Sequence, residues 1–150
     1  MPGADVIPLA TVLDASVAVR WLVTEHGSAD AAALLKRPTR WIAPRLMLTE
    51  VTGALHRKVV AGKLREMLAS EALKELLGAV GAGEIRLAQD ERVLVAAFAL
   101  AMLLKQRVPD CVYLALAEDE GAGLVTADQA LAALAQQRGI ATTLIGGPQG

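Results

Sequence analysis

The sequence predicts an α/β fold in which helices cover both faces of a central parallel sheet of about five strands, in three layers. Strand-like and helix-like segments alternate along the chain, and this order is typical of parallel sheets covered by helices. The first strand-like segment is a short apolar run that ends at a polar residue, which indicates a buried strand. The chain is 54% hydrophobic but only 3% aromatic, so we expect an aliphatic core.

The bulk properties limit the class of protein. The length of 150 residues fits a single domain over residues 1–150, with residues 1–8 as a lead-in and residues 146–150 as a loose tail. Cys111 is the single cysteine, which excludes an intrachain disulfide and a cysteine-based zinc site and suits a reducing, cytoplasmic compartment. A net charge of −1 argues against a generally basic nucleic-acid binder.

The sequence does not predict a membrane protein. The longest apolar run, Val93–Leu104, has 12 residues, whereas a membrane-spanning helix needs about 20. The run predicts a helix that is either central in the fold or at an interface. Because no basic residue precedes Asp14, we expect neither a signal peptide nor a membrane partner.

The elements of the first half follow from local signals. An apolar run that ends at Asp14 predicts the first strand. The segment His26-Gly27-Ser28 breaks a helix, and Ser28 can cap the next one. Pro44 suits a first helical position, where its missing N–H costs nothing. The predicted elements are a strand at Leu9–Leu13, helices at Ala15–Leu22 and Ala29–Lys36, a strand at Trp41–Ala43, and helices at Pro44–Val60 and Arg65–Val80.

The second half continues the alternation. Asp90 is predicted to cap its own helix, and Lys105 and Arg107 suit the negative end of that helix. Pro109 then requires a new helix start, and Gly139 ends the last helix. The predicted elements are a strand at Glu84–Ala88, a helix from Asp90 to about Arg107, a helix at Asp110–Glu120, a strand at Leu124–Thr126, a helix at Asp128–Arg138 and a strand at Ala141–Ile145.

Three aspartates stand at the ends of strands or the starts of helices. Asp14 follows the first strand, Asp128 follows the Leu124–Thr126 strand, and Asp110 opens a helix behind Pro109. Aspartate is among the best helix N-caps, so capping explains each of the three individually. The carboxyl ends of parallel strands meet at one edge of a sheet, however, and ligands bind there. The same residues therefore suit a shared site.

Glu50 needs a different explanation because it lies inside a predicted helix and caps nothing. Its neighbours three and four residues away include Met47 and Ala54, and none of them is Lys or Arg. A glutamate that faces a core without a partner is costly in free energy or takes up a proton. A bound cation removes that difficulty, and a partly exposed position on the helix shoulder is the alternative.

Together the acids predict a metal-dependent hydrolase. A ring of carboxylates suits Mg²⁺ or Mn²⁺, which prefer oxygen ligands. The chemistry that follows is hydrolysis of a phosphodiester by a metal-activated water. No competing Ser/His/Asp arrangement or phosphate-binding glycine loop is recognisable. The predicted catalytic and metal-binding residues are Asp14, Glu50, Asp110 and Asp128.

Four segments resemble the PIN domain, and more narrowly the VapC-type ribonuclease toxins of toxin–antitoxin pairs. They are LDASVAVRWL at 13–22, LTEVTGALHR at 48–57, PDCVYLALAE at 109–118 and LVTAD at 124–128. The resemblance spans residues 12 to about 145. It implies a metal-dependent endoribonuclease fold around the four acids. Ser16 and Thr126 match hydroxyl positions of the family and would orient carboxylates by hydrogen bonds, unless they serve only as cap or turn hydroxyls.

The resemblance also implies partners. Toxins of this family form homodimers and are silenced by an antitoxin segment that lies across the toxin. Apolar residues of the first two helices would line such a groove or would belong to the core: Val17, Trp21, Leu22, Leu34 and Leu35. Basic residues near the predicted site are candidates for RNA phosphate contacts or are merely solvated surface: Arg20, Arg57, Lys58, Lys63 and Arg65.

Two other functions stay open at this stage. The first is a PIN nuclease of RNA processing that has no antitoxin. The second is a non-catalytic, doubly wound signalling domain whose acids bind a regulatory ion. A receiver domain of that kind has an acidic pair after the first strand and a lysine after the last, whereas here a single Asp14 follows the first strand and no lysine lies in residues 141–150.

Overall fold

The computed structural model describes residues 7–24 and 27–146, which form five strands and seven helices. The strands are β1 Ala10–Leu13, β2 Arg40–Pro44, β3 Ile85–Ala88, β4 Gly123–Thr126 and β5 Thr142–Leu144. The helices are α1 Ala15–Leu22, α2 Ser28–Leu34, α3 Leu46–Val60, α4 Glu66–Gly81, α5 Leu94–Leu104, α6 Val108–Glu120 and α7 Gln129–Gln137. Most of the predicted lead-in and tail, and His26 of the predicted helix break, lie outside the described residues.

The strands form one parallel sheet in the order β3-β2-β1-β4-β5. The predicted fold class, with helices on both faces of the sheet, is therefore confirmed. The chain builds outward from β1 to β3 and then returns to place β4 on the other side of β1. The direction in which the chain adds strands to the sheet thus reverses between β1 and β4, where Leu13 pairs with Val125. Open α/β sheets bind ligands in the crevice beyond such a point.

The core is aliphatic, as expected, and α6 lies deep within it. All seven residues from Cys111 to Ala117 are buried, because this helix packs against α5 and against three strands of the sheet. Tyr113 is the largest side chain among the fully buried residues. Pro109 occupies the first turn of α6, where its missing N–H leaves no helical hydrogen bond unmade.

Two expectations about the region around β2 and β3 are wrong. Pro44 does not start a helix but ends β2, where it pairs with Ala88 at a strand end that tolerates the loss of an N–H. Asp90 does not cap its own helix, because its carboxylate accepts hydrogen bonds from the backbone N–H groups of Arg45 at 2.6 Å and Leu46 at 3.0 Å. Neighbouring strand ends bring Asp90 to the start of α3, which it caps in place of a local residue.

The apolar run at residues 93–104 begins its α-helix later than predicted. A short 3₁₀ turn at Asp90–Arg92 precedes α5, and Lys105 ends this helix in the left-handed conformation at φ 55°. Only one side of α5 reaches the core, so several large apolar side chains stay exposed. Across residues 7–24 and 27–146, every helix is too short or too polar to cross a lipid bilayer.

Candidate active site

The four predicted acids line one cleft of about 590 Å³ beyond the carboxyl end of the sheet. Asp14 follows β1 and Asp128 follows β4, so the adjacent ends of these two strands bring them together. Glu50 reaches the cleft from the middle of α3, and Asp110 reaches it from the first turn of α6. Residues that are far apart in sequence therefore converge at the point where the strand order reverses, between β1 and β4.

Asp14 is the most deeply buried of the four acids, with 7% of its surface exposed. Its Oδ2 atom accepts hydrogen bonds from the hydroxyls of Ser16 at 2.5 Å and Thr126 at 2.7 Å. Its Oδ1 atom has no hydrogen-bond partner among the described residues. The one buried, unpartnered side-chain polar atom in that part of the chain is Trp41 Nε1, so Oδ1 retains access to solvent. One oxygen is thus held, and the other is available to a ligand.

Ser16 and Thr126 also tie the end of β4 to the end of β1. The Ser16 hydroxyl accepts the backbone N–H of Ala127 at 2.9 Å, and the Thr126 hydroxyl accepts that of Asp128 at 3.0 Å. Because an ionised carboxylate oxygen can only accept, the proton of each hydroxyl is directed toward Asp14. Ser16 and Thr126 therefore make the hydrogen bonds that are needed to orient the Asp14 carboxylate.

Of the three aspartates of the cleft, Asp128 alone caps a helix with its side chain. Asp128 caps α7, since its Oδ1 accepts the backbone N–H groups of Ala130 at 2.9 Å and Leu131 at 3.2 Å, and it also lines the cleft. The side chain of Asp14 makes no capping hydrogen bond. Asp110 lies in the first turn of α6, where the positive end of the helix favours a carboxylate.

Glu50 has a partner that the sequence analysis did not identify. The half-buried Glu50 accepts a hydrogen bond at 2.6 Å through Oε1 from the hydroxyl of Tyr113. The same hydroxyl accepts the backbone N–H of Ala15 at 3.3 Å. Tyr113 is the chain's only tyrosine and lies three residues after Asp110, on the same face of the helix. The spacing of three residues between Asp110 and Tyr113 is the one feature of the sequence that places Tyr113 near the predicted site.

The acids influence one another electrostatically. Burial raises the pKa of Asp14, and the negative charges of Asp128 and Asp110 raise it further, although the two hydroxyl hydrogen bonds oppose the shift. Burial likewise raises the pKa of Glu50, the Tyr113 hydrogen bond opposes the shift, and nearby Asp14 and Asp110 add to it. Like charges that face a shared, partly desolvated space are unfavourable unless a cation lies between them.

The residues fit a divalent cation by their chemistry. The four acids offer carboxylate oxygens, which are hard ligands that suit Mg²⁺ or Mn²⁺. Asp14, with its open oxygen, lines the same cleft as the other three acids. In residues 7–24 and 27–146, no three acidic, histidine or cysteine side chains are already close enough together to enclose a metal ion. Binding would therefore require some of the four acidic side chains to move closer to one another.

Basic residues surround the acids on the rim of the cleft. Of the five predicted phosphate contacts, four line the cleft and Arg65 does not. Arg107, which the sequence analysis did not propose, also lines it, and its Nε lies 3.6 Å from Asp110 Oδ2. Its charge opposes the rise in the pKa of Glu50. The basic lining residues are Arg20, Arg57, Lys58, Lys63 and Arg107.

Comparisons with known proteins agree with this fold. Residues 11–137 match the family model of the PIN domain. The chain resembles the crystal structure of PAE2754 from Pyrobaculum aerophilum, with a TM-score of 0.69, 22% identity and 89% of each chain covered. It also resembles VapBC2 from Rickettsia felis bound to a DNA fragment from their promoter, with a TM-score of 0.60, 11% identity, and 91% of this chain and 98% of that chain covered.

A third similar structure is a toxin–antitoxin complex from Klebsiella pneumoniae, with a TM-score of 0.58, 14% identity, and 79% of this chain and 86% of that chain covered. All three identities are low, so these likenesses concern the fold. The comparison with curated proteins gave no match.

We expect Asp14→Asn to raise the Tm of the metal-free protein by a few degrees near neutral pH. The variant can keep a carbonyl oxygen toward Ser16 and Thr126 while it removes a buried charge. The raised pKa means that folded Asp14 holds its proton more tightly than the unfolded chain does. The cost of ionisation is therefore absent below the unfolded-state pKa and grows as the pH rises through the folded-state pKa.

The measurement is a set of thermal melts in EDTA at about pH 7.5 and about pH 5. The stability advantage of Asp14→Asn should shrink at the lower pH. Asp30→Asn changes an exposed aspartate of α2 and should give no such difference. A variant that is less stable than wild type at both pH values would contradict the interpretation.

Proposed function

Because the chain belongs to the PIN-domain family, whose members are generally nucleases, we propose that it is a divalent-metal-dependent endoribonuclease and the toxin of a toxin–antitoxin pair. The observation that carries the nuclease proposal is the convergence of four acids in one cleft, with one oxygen of buried Asp14 held and the other open. Such a cleft suits hydrolysis of a phosphodiester in the RNA backbone.

Each group of residues has a part in this reaction. Asp14, Glu50, Asp110 and Asp128 would hold Mg²⁺ or Mn²⁺. The ion, when bound, lowers the pKa of water and offsets the charge of the phosphate. Ser16 and Thr126 keep the Asp14 carboxylate in one orientation, which preserves the open oxygen.

Substrate binding depends on the basic rim. Cations that line an acidic cleft favour a polyanion whose phosphates lie along the rim while one phosphate approaches the acids. Arg20, Arg57, Lys58, Lys63 and Arg107 supply these charges. Aromatic residues are scarce, and Tyr113 is fully buried. Contacts to the phosphates therefore carry more of the binding than base stacking does.

The antitoxin part of the proposal has a candidate groove. Val17 and Leu34 belong to the core, which is one of the two alternatives that the sequence left open for them. Trp21 and Leu35 instead border a groove of about 240 Å³ together with residues of β2, α4 and β3. Its lining is Trp21, Ala32, Leu35, Lys36, Trp41, Ala79, Glu84 and Ile85. Apolar walls with one cation and one anion suit an amphipathic peptide segment.

The proposal includes a homodimer formed through α5. Val95, Phe98 and Met102 are 85%, 62% and 66% exposed. Their spacing of three and four residues places them in one stripe along the helix, and Leu94 and Leu103 flank it. A contiguous apolar surface of this kind is typical of protein–protein interfaces. The same stripe on a second copy would cover it symmetrically.

The nuclease proposal predicts that the wild-type protein cleaves structured RNA in Mg²⁺ or Mn²⁺ and that EDTA stops the reaction. Asp14→Asn and Glu50→Gln should each lower the rate at least about 100-fold, because loss of a ligand costs no less than loss of a residue that orients one. The measurement is the initial rate on a labelled RNA, with a DNA of matched sequence as a second substrate.

Asp30→Asn and Glu71→Gln make the same chemical changes on exposed faces of α2 and α4 and serve as matched controls. Full activity in Asp14→Asn or Glu50→Gln would contradict the role of the four acids. Metal binding without cleavage of either nucleic acid would favour a non-catalytic role. Equal cleavage of the DNA would contradict specificity for RNA.

The toxin proposal predicts that expression of the wild-type chain arrests bacterial growth and that Asp14→Asn does not. Co-expression of a small protein encoded beside the gene should restore growth. Leu35→Lys should leave the arrest intact but weaken the rescue, because it places a charge in the apolar groove. Growth is followed by optical density, with the Tm of Leu35→Lys as a folding control. RNA cleavage in vitro without growth arrest would favour a role in RNA processing.

The dimer proposal predicts a mass of twice 15.7 kDa in light scattering after size exclusion. Phe98→Asp should give a monomer, because it places a charge at the centre of the apolar stripe. Val60→Asp makes a comparable change at another exposed apolar residue, 73% exposed at the end of α3, and should remain dimeric. A monomeric wild type, or a dimeric Phe98→Asp variant, would contradict the use of α5.

A further inference from the structure

We propose that Tyr113 is a positioning residue of the cleft, whose hydroxyl holds one oxygen of the Glu50 carboxylate and leaves the other oxygen free to bind a divalent cation. The inference rests on the metal-dependent part of the proposed function and assigns a role to a residue outside the four acids. Tyr113 would not touch the metal or the substrate. It would act through Glu50.

The hydrogen bonds of Tyr113 fix the direction of its single proton. The backbone N–H of Ala15 can only donate, so the Tyr113 oxygen accepts it, at 3.3 Å. The hydroxyl proton is then donated to Glu50 Oε1, at 2.6 Å. Glu50 Oε2 receives no hydrogen bond from the described residues and remains available as a ligand. Tyr113 thus leaves Glu50 in the same state that Ser16 and Thr126 give Asp14, with one oxygen held and one open.

The tyrosine connects the elements that carry three of the four acids. Tyr113 and Asp110 lie three residues apart on α6, and therefore on one helix face. Ala15 immediately follows Asp14, and Glu50 lies in the middle of α3. A single hydroxyl, 63 residues from Glu50 and 98 from Ala15 in sequence, consequently links the positions of Asp14, Glu50 and Asp110.

The side chain of Tyr113 is suited to this task because it is itself closely packed in the core. It is 1% exposed and surrounded by the consecutive buried residues of α6. Glu50, in contrast, is half-buried and has three rotatable side-chain bonds, so fixing it from solution would cost conformational entropy when the metal binds. With the hydrogen bond from Tyr113, the Glu50 side chain is already ordered in the folded protein, so less conformational entropy is lost when the metal binds.

A buried tyrosine hydroxyl ordinarily needs a partner for stability alone, so the test must separate the two roles. We expect Tyr113→Phe to weaken Mn²⁺ binding about 10–100-fold, the range typical for loss of a residue that orients a metal ligand. The Mn²⁺ dissociation constant is measured by calorimetry and by the EPR signal of free Mn²⁺. Thr11→Val removes another buried hydroxyl, at the opposite end of β1, where Thr11 bonds to Thr39 at 2.9 Å. It should leave Mn²⁺ binding unchanged.

The decisive comparison repeats Tyr113→Phe in a Glu50→Gln background. If Tyr113 acts through the Glu50 carboxylate, the second substitution should change the residual Mn²⁺ affinity by less than about twofold. An equal effect in both backgrounds would assign Tyr113 a general structural role and overturn the proposal. So would unchanged Mn²⁺ affinity in Tyr113→Phe, or a wild-type protein that binds no Mn²⁺.

The binding measurement also separates this inference from the proposed function. Wild-type Mn²⁺ binding that depends on Tyr113, in a protein that cleaves no RNA, would support the positioning role and contradict the nuclease. RNA cleavage that is sensitive to Asp14→Asn, together with a Mn²⁺ affinity that Tyr113→Phe does not change, would support the nuclease and contradict the positioning role.

Discussion

The burial of the Asp14 carboxylate is the constraint on which the arrangement of the site depends. A carboxylate that loses its water must be protonated, paired or hydrogen-bonded. Here two hydroxyls bond to one oxygen, and each also accepts a backbone N–H group from the residues that follow β4. The requirement to satisfy one charge thereby joins the ends of β1 and β4. Asp128 follows directly from that junction, so its position is coupled to that of Asp14.

The strand order explains why this junction lies where a ligand can reach it. The chain places β2 and β3 on one side of β1 and β4 and β5 on the other. Helices leave the sheet in opposite directions on the two sides of such a point, and a crevice opens between them. The first turn of α6 and the middle of α3 border that crevice, which is how Asp110 and Glu50 come to share it with two strand-end aspartates.

The sequence supplied the element order and the identity of the four acids, because both depend on local patterns. Glu50 was recognisable since a helix-interior acid without a basic neighbour requires an explanation. Tyr113 is not recognisable with the same ease, because its spacing from Asp110 is a weak signal in a stretch of helix whose residues are all buried, where a tyrosine is most simply explained by core packing. Asp90 was assigned to the wrong helix for a similar reason. Its local sequence is that of an N-cap, and only the neighbouring strand end brings α3 close enough to be capped instead.

Hydroxyl groups, and not cations, make the shortest contacts with the two acids whose pKa values are raised. A hydroxyl supplies a hydrogen bond without neutralising the charge, so the acids continue to repel one another across the cleft. Arg107 lies 3.6 Å from Asp110, but its side chain is 74% exposed, and exposed ion pairs contribute little. The fold thus orients Asp14 and Glu50 through hydroxyl hydrogen bonds, which do not remove the negative charge of either carboxylate. That combination disfavours the empty cleft and favours binding of a multivalent cation.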